Sequence, residues 1–264
     1  MVFPILLLSV ALSQVVAAAP AITNLPANAK FDYQIGGVYK PAADVKVVTR
    51  DRTASPVKGL YNICYVNAFQ TQSGDAKFWK AKERDGLLLR KKNGKYFEDP
   101  DWPGEIFLDT RTDAKRRAIA KIINGWISEC AKKGFKAIEP DNLDTFTRSS
   151  GLLTKANNLA FAKLFVNHAH SLGLAVAQKN TGGELGKEGK KVAGFDFAVA
   201  EECQQYDECG EYTSAYGSRW VEIEYGNKAR FDSACKARGK NISVILRDRD
   251  VTPKGNKSYK YSQC

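Results

Sequence analysis

Lys132-Lys133-Gly134-Phe135-Lys136-Ala137-Ile138-Glu139-Pro140-Asp141-Asn142-Leu143-Asp144 runs from the end of a helix, through a short apolar strand, into a polar turn. Upstream, Thr112–Lys133 places Ile119, Ile122, Ile123, Trp126 and Ile127 at spacings of three and four, which gives the helix one buried stripe. Gly134 then stands where a left-handed residue ends a helix, and Ala137–Glu139 reads as strand. The same grammar returns downstream. Lys155–Leu172 carries Leu159, Phe161, Leu164, Phe165 and Val166, Gly173 closes it, and Leu174–Gln178 is the next strand. Six further apolar runs extend the series to eight: Asp32–Ile35, Lys46–Thr49, Leu60–Val66, Asp196–Ala200, Trp220–Ile223 and Ser243–Leu246. Strand and helix in alternation predict an α/β fold with a parallel sheet, and eight units favour closure into a single (β/α)8 TIM barrel. An open doubly wound sheet is the alternative, but no Gly-x-Gly-x-x-Gly follows the first strand and no phosphate loop is present.

Working outward to the N-terminus, residues 1–19 form an uncharged apolar run ending in alanines, the pattern of a signal peptide cut between Ala17 and Ala19. Residues 20–30 read as an N-terminal extension and residues 31–264 as the barrel domain. A secreted, extracellular protein, free of the membrane after cleavage and monomeric, is expected. Six cysteines, an even set, suit disulfides in that compartment. Closeness suggests Cys203 with Cys209, and Cys235 with Cys264 would tie down the tail; the connectivity otherwise stays open. No Cys-x-x-Cys and only two histidines, His168 and His170, argue against a metal site. The net charge of +11, with basic runs at Arg90–Lys92, Lys115–Arg117 and Lys187–Lys191, suits anionic partners or simply a solvated surface. These runs lack interleaved aromatics and no nucleic-acid motif is present, so no nucleic-acid partner is expected. Asn241-Ile242-Ser243 and Asn256-Lys257-Ser258 are glycosylation sequons.

Barrel enzymes carry their chemistry at the C-terminal ends of strands. Here those ends hold Cys64–Gln70, Glu139–Asp144, Gln178–Asn180, Ala200–Cys203, Glu222–Tyr225 and Arg247–Asp250, a concentration of carboxylates, amides and tyrosines. Glycosidic cleavage needs two carboxyl groups flanking the bond. Asp141 and Glu201, at strands four and six, can face one opening. Glu202 stays as the alternative to Glu201, because side chains alternate along a strand and only one of the two points inward. The insertion Gln70–Thr110, with a short extra strand at Ile106–Asp109, is a candidate wall of the cleft. Trp79, Trp102, Tyr65, Phe69 and Tyr206 are candidates to stack on sugar faces. An esterase is disfavoured by the absence of a Gly-x-Ser-x-Gly elbow.

Phe31–Gly37, Tyr61–Gln72, Gly134–Asn142, Phe195–Cys203 and Val244–Asp248 together resemble glycoside hydrolase family 114 across nearly all of residues 31–264. The resemblance implies a (β/α)8 barrel and an endo-α-1,4-polygalactosaminidase acting on galactosamine-rich polysaccharide without a cofactor. It implies Asp141 and Glu201 as the catalytic pair. Asp32, Tyr33, Tyr65, Asn67, Asn142, Lys179, Asn180, Glu202 and Glu224 become candidates for substrate contact. A non-catalytic polysaccharide-binding barrel is the competing reading. A deacetylated galactosamine polymer is cationic and a chain of +11 repels it at long range, which leaves two alternatives: the carboxylates at the strand ends make the cleft locally negative, or the substrate is partly acetylated or a different polymer.

Overall fold

A computed structural model describes residues 20–264, so the signal-peptide reading of residues 1–19 lies outside the described residues. Eight parallel strands pair in sequence order: β1 Phe31–Gln34, β2 Val47–Asp51, β3 Tyr61–Asn67, β4 Ala137–Asp141, β5 Ala175–Lys179, β6 Phe197–Glu201, β7 Trp220–Tyr225 and β8 Ser243–Arg247. All eight expected strands are present, with bounds displaced by one or two residues, mostly towards their C-terminal ends. The principal helices are α1 Asp113–Lys133, α2 Lys155–Ser171, α3 Cys209–Tyr216 and α4 Lys228–Arg238. The β1–β2 and β2–β3 connections are loops, so the helical layer covers only part of the TIM barrel.

Helix ends follow the local chemistry. Thr112 caps α1 by accepting from the Lys115 N–H, and Gly134 ends it at a φ of 97°, where a Cβ is disfavoured. Thr154 and Asn157 exchange side-chain and backbone bonds in a capping box at the start of α2.

Alternation along the strands divides the apolar residues into two layers. Phe31, Val47, Ile63, Ala137, Ala177, Val199, Val221, Ile223 and Ile245 fill the barrel, while Ile138, Val176, Ala198 and Val244 face outward against Ile123, Ile127, Phe161 and Phe165. Three disulfides tie the layers: Cys64–Cys130 joins β3 to α1, Cys203–Cys209 staples the β6–α3 turn, and Cys235–Cys264 holds the tail to α4.

A ninth strand absent from the sequence reading, β9 Tyr261–Gln263, runs antiparallel to β8. It lies at the seam of a nearly closed barrel. There the Tyr261 hydroxyl donates to the Phe31 carbonyl at 2.8 Å. Above the seam, a Cβ on Gly36 would lie 2.6 Å from the Asp250 and Val251 carbonyl oxygens, so only glycine lets the β1 and β8 loops pass.

The insertion after β3 folds as a wall. Isolated antiparallel bridges join Gln70 to Phe107, Leu88 to Leu108, Arg90 to Tyr96 and Glu98 to Ile106, which accounts for the expected strand near Ile106–Asp109. Leu89, Phe97 and Phe107 form its own apolar centre with Leu153. The Leu108 N–H donates to the Phe69 carbonyl at 2.8 Å, so the wall leaves and rejoins the barrel at neighbouring points. Among the described residues, no helix is long and apolar enough to cross a membrane.

Candidate active site

A cavity of about 410 Å³ opens at the C-terminal ends of the strands, bounded by the wall and by the loop after β8. The chain turns sharply beyond three of these strands: Asn142, Asn180, Thr181 and Glu202 all have positive φ, of 65°, 51°, 61° and 55°. Left-handed geometry costs an ordinary residue energy, and asparagine tolerates it best. Each turn stops the strand with its last inward side chain pointing into the cavity.

Those last inward side chains are Asp141 on β4, Lys179 on β5, Glu201 on β6 and Tyr225 on β7. Lys179 stands between them, almost wholly buried, with its Nζ 3.0 Å from Glu139 Oε1 and 3.3 Å from both Asp141 Oδ1 and Glu201 Oε2. Burial works against its charge, but Asp141, Glu201 and Glu139 outweigh it, and its pKa lies well above the usual lysine value. Tyr33 completes the floor, donating to Glu139 Oε1 at 2.7 Å and accepting from Lys179 at 3.0 Å. Burial raises the Glu139 pKa against the pull of Lys179.

Asp141 has a different balance. Burial raises its pKa, but the Lys179 charge, the Tyr65 hydroxyl at 2.6 Å and the Asn142 backbone N–H more than offset it, and the carboxyl titrates below the ordinary aspartate value. Glu201 is gripped by Asn180, whose Nδ2 donates to Oε2 at 2.9 Å while its Oδ1 accepts the Glu201 N–H at 2.8 Å. The Tyr225 hydroxyl donates to the other oxygen, Oε1.

Tyr65, Asp141, Asn142, Lys179, Asn180 and Glu201 line the cavity. Tyr33 and Asn67 lie just behind it. Asn67 is buried, accepts from Asn142 Nδ2 at 3.0 Å and donates to Glu105 at 3.1 Å. Three further expected positions lie outside the cavity lining. Asp32 lies between inward Phe31 and Tyr33 and turns to Gln34, Tyr39 and Arg247 at the seam. Glu202 sits past the end of β6 and pairs with Arg249 at 2.6 Å, outside the cavity lining. Glu224 lies between inward Ile223 and Tyr225, so it faces the outer layer, where it accepts from the Gln204 N–H at 3.1 Å. Fully buried there, its carboxyl is pushed up to about 7. Among the aromatic candidates, Trp102 lines the cavity, Trp79 and Phe69 are fully buried in the core, and exposed Tyr206 does not reach the lining.

Sequence reasoning missed Glu139, Tyr225 and Glu105. The first two were within reach of the alternation rule, since each sits two positions from another inward residue of its strand. Glu105 comes from the wall, and no short-range pattern announces it. Arg148, also missed, anchors the wall by pairing with Asp99 and Asp144 and donating to Asn142 Oδ1 at 3.0 Å.

The fold is thus a parallel TIM barrel with two carboxylates at the ends of β4 and β6. The chain belongs to glycoside hydrolase family GH114, whose sequence profile matches residues 12–264. No curated protein sequence matches it. The barrel is similar to that of Ega3 from Aspergillus fumigatus, solved in complex with galactosamine, at 20% identity, covering 94% of this chain and 100% of that one, with a TM-score of 0.71. The glycoside hydrolase domain of PelA from Pseudomonas aeruginosa is similar at 14% identity and a TM-score of 0.55, covering 86% of this chain and 96% of that one. At these identities the likeness speaks for the fold.

Proposed function

We propose that this glycoside hydrolase is secreted and cuts α-1,4-linked galactosamine polymers internally, with Asp141 as nucleophile and Glu201 as acid and then base. The observation that carries the reading is the pair of carboxylates lining one cavity, each 3.3 Å from the same Lys179 ammonium. Two oxygens that share one cation at that range are close neighbours. Such spacing fits the retaining arrangement of about 5 Å better than the roughly 6.5–9.5 Å that leaves room for water in an inverting one.

The ionised Asp141 attacks the anomeric carbon as the glycosidic bond breaks, and Glu201 gives its proton to the departing oxygen. Water then enters, loses a proton to Glu201 and displaces Asp141, which restores both groups. Tyr65 and Lys179 hold Asp141 in its attacking position, and Asn180 and Tyr225 fix the Glu201 carboxyl plane.

Charge supports an amino-sugar substrate. Seven carboxylates line the cavity, Asp99, Asp101, Glu105, Asp141, Asp144, Glu201 and Asp250, against three cations, Arg148, Lys179 and Arg249. The basic runs seen in the sequence contribute nothing to the lining. The galactosamine bound to Ega3 points the same way, and three disulfides support an extracellular setting.

Purified protein incubated with galactosamine polymer should release oligosaccharides, and folded Asp141→Asn and Glu201→Gln variants should lose activity by about a thousandfold or more. Either variant retaining full activity would overturn the assignment. A wild-type protein that binds the polymer without cutting it would leave a binding barrel.

A further inference from the structure

The wall brings one carboxylate into the cavity that the two-carboxylate chemistry does not use. Glu105 closes the turn from Trp102, its N–H donating to the Trp102 carbonyl at 3.1 Å, so an exposed indole and a half-buried carboxylate sit on one tight loop. Its Oε2 is fixed from two sides, by Gln70 Nε2 at 2.7 Å and Asn67 Nδ2 at 3.1 Å. Asn67 in turn accepts from Asn142, the residue next to Asp141, so the loop is registered to the reaction centre through an amide relay. The second oxygen of Glu105 has no hydrogen-bond partner among the described residues.

The other carboxylates of the cavity are already answered. Asp141 and Glu201 share Lys179, and Asp99 and Asp144 share Arg148. Asp101 and Asp250 are exposed, where water screens their charge and weakens discrimination. Glu105 alone among these lining residues is both half-buried and without a cation. Burial raises its pKa, and the nearby Asp141 charge adds to this against the Gln70 amide.

We infer that Glu105 selects the free amino group of the sugar, pairing its unengaged oxygen with the substrate ammonium while Trp102 covers the ring. The inference rests on the polygalactosaminidase reading and names the group that sets its acetylation preference. An ammonium repays the cost of holding a desolvated carboxylate. An acetamido group brings no charge and leaves that cost standing.

Two measurements are made on wild-type protein and on Glu105→Gln and Glu105→Asp variants. The first is the ratio of hydrolysis rates on fully deacetylated and fully N-acetylated polymer. The second is the ratio of affinities for free galactosamine and N-acetylgalactosamine, titrated by NMR. Wild type should prefer the amino form in both, and Glu105→Gln should shrink each preference by about tenfold or more. Glu105→Asp should retain part of it. The wild-type preference should fall as pH drops and Glu105 gains its proton, whereas that of Glu105→Gln should not follow this titration. Equal losses on both sugars, an unchanged ratio, or a wild type indifferent to acetylation would overturn the inference. If neither polymer is cut but the preference for galactosamine still depends on Glu105, the hydrolytic reading fails and the selective contact stands.

Discussion

Lys179 is the residue on which the chemistry of this cavity turns, because one ammonium serves three carboxylates that would otherwise repel one another. Its charge holds the Asp141 pKa down, so Asp141 keeps its negative charge to a lower pH than an unassisted buried aspartate would. Replacing it by methionine removes that attraction and raises the Asp141 pKa. The acidic limb of the kcat/KM profile of Lys179→Met should therefore move to higher pH by about one unit or more, with a lower plateau. A limb that stays in place in a folded variant would show that Lys179 does not control Asp141. At this scale the sequence was informative where a residue sits at a strand end. Asp141 and Glu201 could be proposed, and the choice of Glu201 over Glu202 follows from alternation once the bounds of β6 are known. Glu224, a candidate through the family resemblance alone, has the parity of the outer face and lies outside the cavity lining. Glu105 was beyond reach, since 38 residues separate it from its partner Asn67 and only the folded wall joins them.

Elements were more legible than side chains, since periodicity is a property of many residues together. Eight strands and the two long helices could be placed because Ile119–Ile127 and Leu159–Val166 repeat at helical spacing and each stripe ends at a glycine. β9 could not, being three partly buried residues with no apolar run of their own, defined only by their pairing with β8. The disulfides bind these elements unequally. Cys64–Cys130 closes a separation of 66 residues and Cys203–Cys209 only 6, so chain entropy assigns the first about 4 kcal/mol and the second about 2 kcal/mol. Replacing both cysteines of a pair by alanine should lower the melting temperature markedly more for Cys64–Cys130, as read by scanning calorimetry. The opposite ranking would mean that the β6–α3 staple secures native packing and that unfolded-chain entropy is the smaller factor.

For the molecule as a whole, two fields of opposite sign matter. The chain carries +11, while the cavity lining is dominated by carboxylates. A long cationic polymer meets the repulsive field first and the attractive one only on contact. Raising ionic strength from about 0.01 M to 0.15 M shortens the screening length from roughly 30 Å to 8 Å and removes the long-range part preferentially. Hydrolysis of long deacetylated polymer should therefore accelerate over that range, and that of short oligosaccharides, which feel mainly the cavity, should stay flat or slow. A monotonic fall for the long polymer would mean that the local field governs encounter as well as binding. The wall around that cavity is a closed excursion, leaving at Phe69 and returning at Leu108, its base paired by the Leu108 N–H on the Phe69 carbonyl and the Thr71 N–H on the Ile106 carbonyl, each at 2.8 Å. It can in principle be exchanged between relatives as a cassette, carrying Trp102 and Glu105 with it, while Asp141 and Glu201 stay behind on the barrel. On the roles proposed above, a graft of the wall would retune recognition of the sugar and leave the cleaving pair in place.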